Sequence, residues 1–203
     1  MKKEINQNGR SMIEMLGVLA IIGVLSVGGI AGYSKAMQKY RVNKTADQVA
    51  QIINGVRTLY SGQKNYAGIN NTVLRKAKIL PESAFESSSS NNVTNPFGGG
   101  IFIYGHGRKT VDDKKAVELS IYDIPEDACI ELASQDWGAG EGLYAVAVYN
   151  SSIRDLMEGC SGFEGNEGVV GCAGGSNIPL PIPVDKAISH CKNNDNSIYF
   201  FFY

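Results

Sequence analysis

A single carboxylate, Glu14, stands at the leading edge of an uncharged segment that runs from Met15 to Ser34. As an α-helix rising about 1.5 Å per residue, these 20 residues reach roughly 30 Å, the thickness of a bilayer's hydrocarbon core. A charged side chain that enters the bilayer without a partner costs from a few to more than about 10 kcal/mol. We therefore expect the Glu14 carboxylate to pair with a positive group.

Four cysteines form the second group of residues with a chemistry of their own: Cys129, Cys160, Cys172 and Cys191. All of them follow the apolar segment, and none belongs to a Cys-x-x-Cys pair of the kind that binds zinc. The basic residues Lys2, Lys3 and Arg10 favour a cytoplasmic N-terminus, which places the cysteines in the oxidising periplasm. An even number there indicates two disulfide bonds, for which three pairings are possible.

Composition and motifs argue against several classes of function. The formal net charge is −1 and no basic stripe is present, so nucleic acid is not expected as a partner. The chain has no Gly-x-Ser-x-Gly elbow, phosphate-binding loop or His-Glu-x-x-His motif, so we do not expect an enzyme. Asp112, Asp113 and the acids of residues 155–167 lack the periodic spacing of a calcium loop, and a solvated acidic surface is favoured. No metal or cofactor is expected.

Beyond the apolar segment, helical periodicity continues to Tyr60. Apolar residues recur three and four positions apart: Val42, Ala46, Val49, Ile53, Val56 and Tyr60. Polar residues occupy the other side, which we predict to be solvated: Lys39, Arg41, Lys44, Asp47, Gln48, Gln51 and Arg57. One helix from Glu14 to Tyr60 is predicted. Gly28, Gly29 and Gly32 are expected either to weaken it locally or to let neighbouring helices approach closely.

The rest of the chain predicts short elements joined by glycine-rich and polar segments. In order, they are a helix at 72–79 capped by Asn71, a polar loop at 86–95, a hairpin of strands 101–104 and 116–122, a helix at 128–134, a strand at 143–149, an irregular segment at 152–176, an extended segment at 177–183, a helix at 185–191 and a strand at 197–203. The predicted fold class is α+β: a long N-terminal helix, membrane-spanning and then amphipathic, packed on a small antiparallel sheet, with a disulfide-stapled C-terminal region.

The N-terminal residues resemble those of type IV prepilins. In that family a short basic leader ends in Gly, a peptidase cuts after this Gly, and the fifth residue of the mature chain is Glu. Here the leader is MKKEINQNG, the cut falls between Gly9 and Arg10, and Glu14 is fifth after it. The resemblance implies N-methylation of Arg10 and pairing of Glu14 with the N-terminal amine of a neighbouring subunit. The family usually has an apolar residue at the position of Arg10.

Two other interpretations of this segment are a secretory signal peptide and a single-span anchor. A signal peptide has an apolar region of about 7 to 15 residues before its cleavage site, shorter than the segment found here. Neither interpretation accounts for a Gly five residues before the Glu.

Later motifs are most similar to the type IVb branch of the same family. They are the turn Asn95 to Gly99 before a strand, the segment Pro125 to Cys129, and His190-Cys191 followed by a strand ending at Tyr203. The nine-residue leader is shorter than is common in this branch. The resemblance implies disulfide bonds between Cys129 and Cys191 and between Cys160 and Cys172.

The resemblance also implies a function. The chain would be a structural pilin that polymerises with itself into a helical type IV pilus for adhesion, motility or aggregation. Its parts would be a cleaved leader (1–9), a transmembrane and filament-core helix (10–34) and a globular domain (35–203). Expected partners are a prepilin peptidase, the inner-membrane assembly platform and the membrane itself before export to the pilus. The alternatives are a type II secretion pseudopilin, a minor or tip pilin, or a membrane-anchored enzyme or receptor.

Overall fold

The structure, a computed structural model, describes residues 12–106, 116–138, 142–149, 163–165, 168–175, 177–192 and 195–203. Contacts divide the chain into two units, Met1–Tyr40 and Arg41–Tyr203. The described part of the first unit is entirely helical, because helix α1 spans Met12–Tyr60. The helix predicted from Glu14 to Tyr60 is therefore confirmed.

The second unit contains the remainder of α1, three short helices and strands of two to nine residues. The helices are α2 (Asn71–Lys76), α3 (Glu126–Ser134) and α4 (Val184–His190), with a 3₁₀ turn at Glu82–Ala84. The strands are β1 (Val93–Thr94), β2 (Gly100–His106), β3 (Ala116–Ile124), β4 (Leu143–Tyr149), β5 (Phe163–Gly165), β6 (Gly168–Cys172) and β7 (Asn196–Phe202). The α+β class is confirmed.

Within the described residues these strands form one sheet in the order β1-β2-β3-β7-β4-β6-β5, with each neighbouring pair antiparallel. The predicted hairpin is present as β2 and β3. The last strand, β7, lies in the middle of the sheet, where Phe200 faces Leu119 on one side and Val146 on the other. The C-terminal segment therefore completes the core of this unit.

Strands β5 and β6 lie in the segment that the sequence predicted as irregular, so that prediction is wrong for part of 152–176. The glycines of β6 mark close packing. A Cβ at Gly168 would lie 2.3 Å from the Tyr149 ring, and one at Gly171 would lie 2.6 Å from Ile182. Strand β1 likewise lies within the segment 86–95 that was predicted as a polar loop. Its Val93 is fully buried, so this end of the segment is part of the core.

The two faces of the sheet are both apolar in part. On one face, β-strand side chains join α1, α3 and α4 in the main core. On the other face, Tyr199 and Phe201 lie in a second buried cluster with Ala145 and Ala147. Burial raises the pKa of Tyr199, and a hydrogen bond with Tyr122 raises it further, so this phenol stays uncharged.

The second half of α1 packs on the main core through the predicted face. Val42, Val49, Ile53 and Val56 are buried, and Ala46 and Tyr60 pack against them. One prediction on this helix is wrong: Gln48, assigned to the solvated side, is only 7% exposed. Its Nε2 donates a hydrogen bond to the carbonyl oxygen of Thr94 at 3.2 Å, a partner 46 residues away that the helical pattern does not reveal.

The predicted cap of α2 is displaced by one residue. The N-cap is Asn70, whose Oδ1 accepts a hydrogen bond from the Val73 amide, and not Asn71. Asn71 instead bonds strand β2: its Nδ2 donates to the Ile101 carbonyl at 2.8 Å and its Oδ1 accepts from the Ile103 amide at 3.1 Å. Asn71 thus bonds β2 at Ile101, the residue opposite Val93, and at Ile103, which has no partner in the two-residue strand β1.

The serine-rich segment that begins at Glu86 is organised around Arg75. The Arg75 guanidinium donates to the carbonyl oxygens of Ser87 and Ser90, forms an ion pair with Glu82, and lies 4.7 Å from the centre of the Phe85 ring. Its side chain is 13% exposed. Arg75 therefore holds the serines of this low-complexity segment to the domain, and Asn91 adds a hydrogen bond from its Nδ2 to the Thr72 hydroxyl.

We predict that Arg75→Ala lowers the free energy of unfolding by about 2 kcal/mol, because two charge-assisted hydrogen bonds and a cation–π contact are lost. The exposed ion pair with Glu82 adds little. Chemical denaturation of the full chain in detergent measures this change. Lys76→Ala, on the same helix and exposed, is the control and should leave the stability unchanged. Equal stability of the two variants would contradict the role of Arg75.

Candidate functional site

The first half of α1 presents an apolar surface that is exposed among the residues the structure describes. From Met12 to Tyr33 it carries 13 large apolar side chains, each at least 46% exposed. The most hydrophobic window of 18 residues has a mean hydropathy of 2.2, and none of it is buried. Burying such side chains is worth roughly 1.5 to 3 kcal/mol each, or roughly 20 to 40 kcal/mol in total. By length and composition this helix can cross a membrane.

Glu14 lies in the first turn of this helix, where the helix dipole favours a negative charge. Between Met12 and Ser34 it is the only residue among Asp, Glu, Lys and Arg. The leader with Gly9, and Arg10 after it, lie outside the described residues. Cleavage after Gly9, methylation of Arg10 and pairing of its amine with Glu14 therefore stay predictions.

The helix is unbroken through Gly28, Gly29 and Gly32, so the local melting considered from sequence is not seen in the isolated chain. A Cβ added at any of these positions, or at Gly17 or Gly23, would meet nothing within 4 Å. These glycines leave backbone open along the apolar surface, where small residues allow another helix to approach closely.

A disulfide bond between Cys129 and Cys191 fastens the C-terminal region. Cys129 is buried within α3, and Cys191 is buried directly after α4, with a Cα–Cα distance of 5.7 Å. This is the pairing that the resemblance implied. Cys172 is also disulfide-bonded. Cys160 lies outside the described residues, so its pairing with Cys172 stays a prediction.

The end of β7 is held to α1 as well. The Arg57 Nε donates to the Tyr203 carbonyl oxygen at 3.3 Å, and the Tyr203 amide donates to the Gly142 carbonyl at 2.8 Å. Gly142 has a φ of +98°, and a Cβ there would lie within 1.4 Å of the Arg57 guanidinium. Glycine is thus required for Arg57 to reach the last residue.

The turn from Asn95 to Gly99 is built on one side chain. The Asn95 Oδ1 accepts hydrogen bonds from the amides of Phe97 and Gly99, and its Nδ2 donates to the Tyr122 carbonyl at 2.8 Å. Gly98 adopts a φ of +101° within it. The motif recognised in the sequence therefore fixes how β1 leads into β2.

Metal ligands do not gather within the described ranges, where no three His, Cys, Asp or Glu side chains lie close enough to hold an ion. Asp112, Asp113 and the side chains of the acids of residues 155–167 lie outside those ranges. The side chain of His106 is also not described. His190 is the residue before Cys191, which forms the disulfide bond with Cys129.

A feature that the sequence did not predict is a cavity of about 180 Å³ beside α1. It lies between the helix and the segments around Ser83 and Thr94, and Gln48 lines it. The Gln48 Oε1 is buried, and within the described part of the chain it accepts no hydrogen bond. A buried polar residue cannot be distinguished from a solvated one by its spacing along a helix, so the pattern gave no signal.

Comparison with known proteins identifies one family. The model of the bundlin family matches residues 34–197. A similar protein is the major structural subunit of the bundle-forming pilus of Escherichia coli, 25% identical over 142 residues that cover 70% of this chain and 72% of that protein. The toxin coregulated pilin of Vibrio cholerae is 24% identical over 131 residues, covering 64% of this chain and 58% of the relative.

Solved structures show the same fold. The crystal structure of TcpA, a type IV pilin from Vibrio cholerae El Tor biotype, gives a TM-score of 0.52 at 14% identity, covering 81% of this chain and 99% of that one. A type IVb pilin from Salmonella typhi gives a TM-score of 0.51 at 13% identity, covering 78% and 97%. At these identities the likeness establishes the fold, and it agrees with the type IVb motifs.

We predict that the double variant Cys129→Ala/Cys191→Ala has a free energy of unfolding about 4 kcal/mol below that of the wild type. Without the bond, which joins residues separated by 62 positions, the unfolded chain gains conformational entropy. Denaturant titration of the full chain in detergent gives the difference. Cys129→Ala alone loses the same bond and should fall close to the double variant. A double variant within about 1 kcal/mol of wild type would show that the bond is not stabilising.

Proposed function

We propose that this chain, which belongs to the bundlin family, is a pilin: a structural subunit that polymerises into a type IV pilus. The observation that supports this proposal most strongly is the exposed apolar surface from Met12 to Tyr33, with Glu14 at its start. The family match begins at residue 34, so this surface supports the proposal independently of the match. The two relatives named as pilus subunits give it further support.

In this mechanism the apolar segment leaves lipid and enters a bundle of the same segments from other copies. Lipid tails are as apolar as leucine, so the transfer changes the hydrophobic free energy little and gives no direction by itself. Direction and register then come from Glu14, which would pair with the N-terminal amine of Arg10 on a neighbouring copy. Because removing one partner of a buried pair is costly, only the register that pairs both charges is stable.

The path to the filament follows from the same segments. The leader 1–9 is removed by a prepilin peptidase between Gly9 and Arg10, and Arg10 is N-methylated. Residues 10–34 hold the subunit in the inner membrane, with residues 35–203 in the periplasm, until an assembly platform adds it to an extracellular pilus. The Cys129–Cys191 bond supports passage through an oxidising compartment.

A structural role, and not an enzymatic one, is proposed for the whole chain. The relatives are named as a structural subunit and a pilin, which favours a pilus subunit over a secretion pseudopilin or a minor tip pilin. Electron microscopy of cells with and without the gene tests this role: filaments containing the chain are expected only in its presence.

We predict that filaments contain a chain beginning at N-methylated Arg10, because the basic leader ends at Gly9. Mass spectrometry of the purified filament subunit measures its N-terminus. The membrane-held precursor from a strain without the peptidase is the control and should keep Met1 to Gly9. Filaments whose subunit keeps the leader, or begins at another residue, would show the assigned cleavage site to be wrong.

We predict that Glu14→Ala is still cleaved and inserted, since the leader and the apolar segment are unchanged, but yields few or no filaments. The loss of one partner of a buried ion pair costs about 3 to 5 kcal/mol, enough to reduce association by about a hundredfold to a few thousandfold. Filament yield after shearing, compared with the amount of cleaved chain in the membrane, separates the two steps.

The matched control for this variant is Asp47→Ala, which removes an exposed acid from the same helix outside the apolar segment. It should assemble as the wild type does. If Glu14→Ala assembled equally well, the pairing with Arg10 would not hold copies together.

A further inference from the structure

Two lysines follow the apolar segment of α1 at the depth where a bilayer changes from hydrocarbon to headgroups. Ser34 ends the uncharged segment. At about 1.5 Å per residue, Lys35 and Lys39 lie about 1.5 and 7.5 Å beyond it along the helix axis. The headgroup region on each side of a bilayer is about 5 to 8 Å thick. Both lysines are exposed, and both lie in that region when residues 15–34 span the hydrocarbon core.

The helix directs both side chains back toward the membrane. The Cα–Cβ bonds of an α-helix tilt toward its N-terminus, and for residues that follow a span this is the direction of the bilayer. Lys35 and Lys39 are four residues apart, so their side chains lie on the same side of the helix, one turn apart. Their long stems therefore bring two ammonium groups to the layer of lipid phosphates together.

Tyrosines flank the two lysines. Tyr33 is 66% exposed and Tyr40 is 61% exposed, and the seven residues between them correspond to about two helical turns. Tyrosine is enriched where a span meets water, because its ring is apolar and its hydroxyl is polar. These residue types are those of an interfacial segment, which supports the depth assigned to the lysines.

The charge of this stretch distinguishes between classes of lipid. From Met15 to Ala46 the sequence has no Asp or Glu and four basic residues, which are Lys35, Lys39, Arg41 and Lys44. The phosphate of a zwitterionic lipid is accompanied by an ammonium on the same headgroup, whereas an anionic lipid has a net negative charge. Each Lys or Arg near an anionic surface strengthens the attraction about fivefold.

The two lysines do not serve to orient the chain. Basic residues beside a span usually lie on its cytoplasmic side. The Cys129–Cys191 bond indicates an oxidising compartment for the unit that follows the span. In the proposed topology Lys35 and Lys39 therefore lie on the exported side, and their charge acts on the leaflet that faces the periplasm.

We infer that Lys35 and Lys39 bind the phosphate of an anionic phospholipid in the periplasmic leaflet while the subunit is held in the membrane. The inference rests on the membrane stage of the proposed function and adds a lipid class to it. Contacts with lipid end when residues 10–34 enter a bundle of other copies, so this binding belongs to the subunit before assembly.

A photo-cross-linker in place of Ala36, which is exposed and adjacent to Lys35, tests the inference in the full chain. The chain carrying benzoylphenylalanine at this position is inserted into vesicles of phosphatidylethanolamine and phosphatidylglycerol, and mass spectrometry counts the adducts of each lipid. The adduct ratio of phosphatidylglycerol to phosphatidylethanolamine should exceed the vesicle ratio at least about fivefold. Salt at about 1 M should reduce this enrichment, because the Debye length is then about 3 Å.

The variant Lys35→Gln/Lys39→Gln removes both charges and keeps polar side chains of similar length. Its adduct ratio should fall close to the vesicle ratio. Lys44→Gln/Lys64→Gln is the matched control, because it removes the same charge from two exposed lysines further along the chain. Lys44 lies about 15 Å beyond Ser34 along the helix axis, outside the headgroup region. The enrichment in this control should stay within about twofold of the wild type.

The outcomes separate this inference from the function on which it rests. Adducts in the vesicle's own ratio, or equal enrichment in Lys35→Gln/Lys39→Gln, would overturn the inference and leave the pilin role intact. Cross-links mainly to a second copy would also overturn it, since another chain and not lipid would then face the lysines. A chain that does not insert into the vesicles would overturn the membrane stage together with the inference. Enrichment in vesicles without filaments on cells would overturn the pilus role alone.

Discussion

The apolar surface of α1 between Met12 and Tyr33 is the constraint on which the molecule's behaviour depends. No element of the described chain covers these side chains, and the free energy of burying them is several times the whole stability of an ordinary domain. Water is therefore excluded as their final environment, and only lipid or other apolar helices remain. Because the two environments are nearly equivalent for a leucine or a valine, we propose that a single charge, that of Glu14, decides between them.

The second unit, Arg41–Tyr203, has a core of its own. Its core includes the second half of α1, and its central strand is the C-terminal one, β7. That strand is held from three directions: by pairing with β3 and β4, by the Cys129–Cys191 bond just before it, and by Arg57 at Tyr203. These three restraints fix the strand in the middle of the sheet, where its side chains contribute to both buried clusters.

Sequence reasoning predicted the parts of the fold that depend on local periodicity. The spacing from Val42 to Tyr60 predicted the buried face of α1, and alternation predicted the strand at 143–149. It failed where contacts between residues far apart in the sequence determine burial, capping or close packing. Gln48 is buried and bonds the Thr94 carbonyl, and Asn71 bonds β2 instead of capping α2. The glycines of β6 serve close packing, although such glycines usually indicate loops. The cleavage after Gly9 and the role of Glu14 could be predicted because the motif is short in sequence, and both stay predictions.

The most direct test of this account is a cryo-electron microscopy reconstruction of filaments assembled from the full chain. The account predicts that residues 12–34 of each copy lie at the filament axis, buried against the same segment of other copies, with the Glu14 carboxylate within hydrogen-bonding distance of a neighbour's N-terminal amine. Filaments whose axis is formed by other parts of the chain, with residues 12–34 outside the core or Glu14 far from any N-terminus, would contradict it.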